Sequence, residues 1–247
     1  MRLKSYLLAY DGDTSILIGL KNYEGQWIWH ADIEHLQPTS AAENPVLRRF
    51  LDIPAVEITT GPTSLIQRTD GILSHYPPGS YNGYWTFCTQ VDARIVKFFM
   101  EAWREAVDPI LHIEGIERSA LADVNFVLQN IINAMRRNGG NALDLADKGP
   151  FLVFLMEPFW IKDSDTPRVW EALRSTAAKT QEEAKRLGLH HEYIYLNYAN
   201  LFQDVYKGYG EKVRFFLSAV GDKYDPDGLF QIQRASGWHL HGPLLSS

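Results

Sequence analysis

Two runs rich in β-branched and aromatic residues open the pattern, Ser15-Ile-Leu-Ile-Gly-Leu20 and Gln26-Trp-Ile-Trp-His-Ala-Asp-Ile33. Both predict β-strands, and Asn22-Tyr-Glu-Gly25 between them reads as a hairpin loop, because Gly25 tolerates the positive φ of a short connection. Polar caps then alternate with apolar stripes. Asn44 and Pro45 predict the start of a short helix through Phe50, and Ile58-Thr-Thr-Gly-Pro62 suggests a brief strand and a turn before another helix. Tyr84 to Gln90 reads as a half-buried strand with Trp85, Phe87 and Thr89 on one face. Asp92 then caps a helix over 93–106, in which Ile95, Phe98, Phe99, Ala102, Trp103 and Ala106 form a stripe at three- and four-residue spacing.

Downstream, residues 124–133 read as a strand with Asn125, Val127, Gln129, Ile131 and Asn133 on one face, followed by a turn at Arg136 to Asn141. Phe151 to Met156 is an apolar strand ending at Glu157-Pro158. Thr166-Pro167 starts the longest helix, which Gly188 closes. An aromatic loop over 192–198 precedes a short helix over 209–220. Strands without a parallel-crossover rhythm predict an α+β fold, an antiparallel β-sheet with helices packed on one face and a C-terminal helical and loop segment. Residues 1–190 are read as the sheet and its helices and 191–247 as the closing segment, the two forming one compact unit.

Composition narrows the classes. The 247 residues are 45% hydrophobic and 13% aromatic, enough to fill a core. A formal net charge of −6 without a block of Lys or Arg argues against nucleic-acid and membrane partners. The single Cys88 forms no internal disulfide, and the N-terminus lacks a secretory pattern, so the expected location is the cytoplasm.

Motifs for phosphate cradles and serine nucleophiles are missing: there is no Gly-x-Gly-x-x-Gly, no Gly-Lys-Ser/Thr and no Gly-x-Ser-x-Gly. No metal site is expected. His190 and His191 point to opposite faces of an extended segment, while His239 and His241 lack a third ligand. His30 and His35 read as structural. Glu157 is the candidate catalytic carboxylate, because a strand end followed by Pro158-Phe159-Trp160 can desolvate it towards general acid–base use. Asn125, Gln129 and Asn133, with Thr86 and Gln90 on a neighbouring strand, are candidate substrate-binding groups or the solvent face of the sheet.

The C-terminal third carries the most specific pattern. Tyr195-Leu-Asn-Tyr198-Ala-Asn, Tyr209-Gly-Glu-Lys-Val-Arg-Phe-Phe-Leu, Lys223-Tyr-Asp-Pro-Asp-Gly-Leu-Phe230-Gln and Ser236-Gly-Trp-His-Leu follow in order. Together they resemble the closing segment of berberine-bridge-type FAD-linked oxidases, in particular the fungal branch. The upstream elements are similar to that family's substrate domain. The resemblance implies that Asn197 and Tyr198 lie beside a flavin ring, that the polar strand residues face a substrate above it, and that Asp225-Pro226 with Phe230 packs the close against an FAD domain. It also implies that FAD is held mostly by an upstream domain whose glycine-rich loop and flavin-attaching residues have no counterpart here.

The expected cofactor is therefore none for this chain alone, and FAD where an N-terminal domain is supplied. Three functions follow from the resemblance. One is a small-molecule tailoring protein of the FAD-linked oxidoreductase family, truncated so that it acts without flavin as a cyclase, isomerase or pericyclic catalyst. The second is a fragment of an FAD-dependent oxidase. The third is a non-catalytic partner module for a separate FAD domain. The expected partners are a small-molecule substrate and, through an exposed apolar face near Tyr195, Tyr198 and Phe230, an FAD domain or a second copy.

Overall fold

The computed structural model describes residues 13–23, 25–40, 43–73, 77–145, 147–233 and 238–240. Strands β1 (Thr14–Tyr23) and β2 (Gln26–His35) form the predicted antiparallel hairpin with Tyr23 opposite Gln26. Gly25 has φ 80° and its N–H donates to Asn22 Oδ1 at 3.2 Å, which closes the loop. Helix α1 (Pro45–Leu51) is capped by Asn44, whose Oδ1 accepts from Val46 N at 2.8 Å and Leu47 N at 3.1 Å. Helix α2 (Leu65–Leu73) follows, but the strand expected near Ile58 does not form. Ile58 and Val56 are exposed there, and no strand among the described residues pairs with the segment.

Next come β3 (Tyr81–Asn82), β4 (Trp85–Gln90) and helix α3 (Ala93–Val107), whose N-cap Asp92 accepts from Arg94 N at 2.8 Å. Helix α4 (Ile116–Ser119) leads into β5 (Leu121–Val127). The strand predicted over 124–133 is corrected here: it stops at Val127, and helix α5 (Gln129–Met135) takes over. Leu128, Ile132 and Met135 explain the switch. They recur at helical spacing, with Leu128 and Ile132 buried, and their burial overrides the alternation that suggested a longer strand. The chain continues through β6 (Phe151–Met156), β7 (Phe159–Trp160), helix α6 (Thr166–Arg186), β8 (His190–His191) and helix α7 (Glu211–Tyr224).

Six strands make one antiparallel sheet in the order β2-β1-β5-β6-β4-β8, and β3 pairs with β7 separately. The α+β expectation holds, with helices α3 and α6 packed on one face. Ile18, Leu20, Phe87, Val124 and Phe154 meet Phe99, Trp103 and Leu173 there. Phe154 stacks on Phe87 at 4.8 Å between ring centroids and takes the edge of Phe99 at the same distance. On the opposite face Cys88, Phe151 and Val153 are covered by Tyr193, Val205, Tyr209 and Val213, so residues on both sides of position 190 share a core cluster. No helix among the described residues is long and apolar enough to cross a membrane.

The Phe87–Phe99–Phe154 cluster makes a direct stability prediction. Phe154→Ala lowers unfolding free energy by about 3–5 kcal/mol, read in urea as a lower midpoint with an unchanged slope. Val56→Ala, on the exposed connection, changes it by less than about 0.5 kcal/mol.

Candidate functional site

Register places the side chains of the face away from α3 and α6 in rows. Thr86, Leu155, Asp123, Gly19 and His30 are successive cross-strand partners across five strands, and the next row runs Cys88, Val153, Asn125, Leu17 and Asp32. Asp123 and His30 are thus two strands apart, a backbone separation of roughly 10 Å. Their side chains nevertheless meet, with His30 Nε2 2.9 Å from Asp123 Oδ1. Only Gly19 lies between them, and a β-carbon at that position would overlap both the carboxylate and the imidazole ring. Glycine inside a strand is otherwise unfavourable, so its presence here marks a close approach.

This contact is off the hydrogen-bond line. His30 Nδ1, Asp123 Oδ1 and, in the neighbouring row, Asn125 Nδ2 are buried without a hydrogen-bond partner among the described residues. The side chain of Asp123 is 6% exposed and that of His30 24%. Each such group costs about 1–3 kcal/mol to leave unsatisfied.

The wall beside this face is the aromatic loop that follows β8. Two amides tie it to β4. Gln203 Nε2 donates to Thr86 O at 2.7 Å while its Oε1 accepts from Thr86 N at 3.3 Å and Asn200 N at 2.9 Å, and Asn200 Nδ2 donates to Tyr84 O at 2.6 Å. The Gln203 side chain thereby takes the place of a further strand. Tyr198 is held with its ring edge-on to Tyr195 at 4.8 Å and to Tyr84 at 6.5 Å. Burial first, then Tyr195 and the charges of Glu157 and Asp123, push its hydroxyl up to about 12. Tyr198 thus senses both carboxylates, and the site gathers Asp123, Glu157 and Tyr198 around one stretch of sheet.

The residues expected from sequence divide. Glu157 follows β6, half-buried, near Tyr198. Asn125 is half-buried on the same face as Asp123, with its Nδ2 lacking a hydrogen-bond partner among the described residues. Asn197 is exposed beside Tyr198 and donates to Tyr195 Oη at 2.8 Å. Thr86 is wholly buried and its hydroxyl donates to Phe154 O at 2.6 Å, so that donor is held within the sheet. Gln90 lies opposite Phe151 at the far end of β4. Gln129 and Asn133 are not on the sheet: they sit one turn apart on the exposed side of α5, with Gln129 Nε2 donating to Asn133 Oδ1 at 3.0 Å.

Among the histidines, His190 is exposed and His191 buried, as expected for an extended pair; burial lowers the His191 pKa and a ring nitrogen lies 3.0 Å from Lys148 O. His241 lies outside the described residues. No group of three or more His, Cys, Asp and Glu side chains able to hold a metal occurs among the described residues. Sequence reasoning missed Asp123, gave His30 a structural role, and passed over Asn200 and Gln203. The available signal was Gly19, isolated in the interior of a strand.

This sheet, backed by helices on one face, is a fold shared with a solved oxidase. The structure superposes on 6-hydroxy-D-nicotine oxidase from Arthrobacter nicotinovorans with a TM-score of 0.60, covering 93% of this chain and 49% of the oxidase at 14% identity. In sequence the chain is 26% identical over 231 residues to the FAD-dependent monooxygenases tpcD of Cochliobolus heterostrophus and FUP4 of Fusarium proliferatum, covering 89% of this chain and 44% of each. It is 31% identical over 157 residues to the FAD-dependent monooxygenase drtC of Aspergillus calidoustus, covering 63% of this chain and 30% of that protein. The chain spans less than half the length of these curated relatives. No family model matches it. The resemblance to the fungal branch of the berberine-bridge-type FAD-linked oxidases is borne out by these relatives and this fold.

Tyr198 supplies a pH test. Its raised pKa means that the folded state keeps a proton that the unfolded state loses above about pH 10, so its contribution is intact below pH 10 and lost as pH rises towards 12. Stability measured by denaturant titration falls across that window, and Tyr198→Phe makes the fall shallower.

Proposed function

We propose that this chain is the substrate-side part of an FAD-dependent oxidoreductase that tailors a small molecule. The observation that carries this reading is the sheet face away from α3 and α6, where buried polar atoms of His30, Asp123 and Asn125 have no hydrogen-bond partner among the described residues, on a fold shared with an FAD-linked oxidase. The residues present fit one end of the cofactor. Tyr198 and Asn197, on the loop anchored by Gln203, would stand beside the flavin ring, and the row from Leu155 to His30 would face the substrate. Flavin, when bound, supplies the two-electron oxidation. This chain's own residues orient the substrate and handle its protons, with Glu157 as the proposed acid or base next to Tyr198.

The pyrophosphate is a different matter. Its charge calls for clustered backbone N–H donors at a helix start, and the sequence offers no glycine-rich loop of that kind. We therefore assign those contacts to a separate FAD domain, and α7 and its sequel offer the surface: Phe215, Phe216, Tyr224 and Phe230 are all exposed. Asp225 shapes that close by accepting from Leu229 N at 2.7 Å and Phe230 N at 3.0 Å. A buried, unpaired Cys88 is consistent with action in the cytoplasm.

Comparing two ligands tests the division of labour. If this chain touches only the ring, it binds lumiflavin and FAD with dissociation constants within about threefold of each other, and Tyr198→Ala weakens both about tenfold. FAD binding more than about a hundredfold tighter than lumiflavin would contradict it. Turnover of a small molecule with no flavin present would favour a cyclase or isomerase instead.

A further inference from the structure

We propose that His191 is a pH-sensitive latch on the aromatic loop: its neutral imidazole ties the start of the loop to the sheet, and uptake of a proton releases residues 192–198. The ring stands where three segments meet. Tyr193 N donates to His191 Nδ1 at 3.1 Å, so that nitrogen carries no proton, and Nε2–H is left to donate to Lys148 O at 3.0 Å. One tautomer thus joins β8, the start of the aromatic loop and the connection that leads into β6. His191 pairs with Cys88 of β4 in the sheet, and Phe151 of β6 lies against its ring at 4.6 Å between centroids.

A further proton has only Nδ1 to occupy, where it sets one N–H against the N–H of Tyr193. Two donors cannot share a hydrogen bond, so the contact breaks and leaves an imidazolium in a buried position. The surroundings sharpen this conflict. Burial first, with the charges of Lys148 and His190, holds the His191 pKa below the ordinary histidine value, against the pull of the Lys148 carbonyl and of Glu192. Burial also keeps the neighbouring Cys88 thiol and the Tyr193 and Tyr209 hydroxyls protonated, so none of them supplies a compensating negative charge. The unfolded chain therefore takes up this proton first as the pH falls below about 6.5, and the contribution of the latch is complete above that pH and lost beneath it.

The far end of the loop is held without titratable groups. Asn200 Nδ2 donates to Tyr84 O, and Gln203 binds both backbone groups of Thr86, all through neutral amides. Acid frees residues 192–198 while 200–203 stays docked, and Tyr195, Asn197 and Tyr198 lie on the part that is released. The latch stands on the fold alone; that it governs contact with a flavin ring rests on the function proposed above.

Amide hydrogen exchange of the full chain without flavin tests the latch separately from the flavin comparison. Protection factors, corrected for the intrinsic pH dependence of exchange, are compared between about pH 7.5 and about pH 5. Protection over 192–198 is expected to fall about tenfold or more, with 151–156 and 200–203 unchanged within about threefold. His191→Gln, whose amide accepts from Tyr193 N and donates to Lys148 O without titrating, abolishes the step, and His190→Gln leaves it in place. Circular dichroism verifies the fold of each variant. Should His191→Gln not fold, NMR of isotope-labelled histidine in the wild-type chain decides: Nδ1 of His191 is unprotonated at about pH 7.5, and its protonation shares a midpoint with the loss of protection. Flat protection over 192–198 in the wild type, a step that survives in folded His191→Gln or vanishes in His190→Gln, or an imidazole midpoint more than about one pH unit from the loop transition overturns the proposal.

Discussion

One missing side chain organises this site. Neighbouring strands hold their side chains about 5 Å apart, and a residue between two others in a row normally separates them. Gly19 removes that barrier in β1, and the imidazole of His30 and the carboxylate of Asp123 close over it. The cost is a weakened strand interior, and the return is a polar pair set into a sheet face beside Leu17, Leu155 and Val153. A low-dielectric setting of this kind makes each unpaired polar atom expensive and each correctly matched ligand group favourable.

The rest of the fold keeps that face rigid. Helices α3 and α6 bury the opposite face through Phe99, Trp103 and Leu173, so the sheet is supported from behind and its register is fixed by which side chains must be buried. The C-terminal segment covers the β6-β4-β8 part of the front, through Tyr193, Val205 and Tyr209. Gln203 and Asn200 use side-chain amides to satisfy the backbone of Thr86 and Tyr84 where a seventh strand would lie, and so hold the tyrosine loop beside the row that contains Asp123.

Much of this scaffold was legible in the chain. The β1–β2 hairpin followed from its loop residues, α1 and α3 from Asn44 and Asp92, and β4 and β6 from their apolar periodicity. The front of the sheet was less so. Gln129 and Asn133 looked like strand residues because Asn125 to Asn133 alternates, while the burial of Ile132 decides for a helix. Asp123 and His30 are far apart in sequence, and only cross-strand register unites them. Their link is visible in sequence solely as a glycine where a bulky residue would be normal. Asn197 and Tyr198 were singled out through family likeness, whereas Gln203 was not, since a glutamine that imitates a strand leaves no periodic trace.

The central claim is that Gly19 is the reason His30 and Asp123 meet. A crystal structure of the Gly19→Ala chain measures it most directly. The account predicts that β1 keeps its pairing with β2 and β5 while the His30–Asp123 approach, 2.9 Å with glycine, opens beyond ion-pair distance. An unchanged contact over the added methyl group would contradict it.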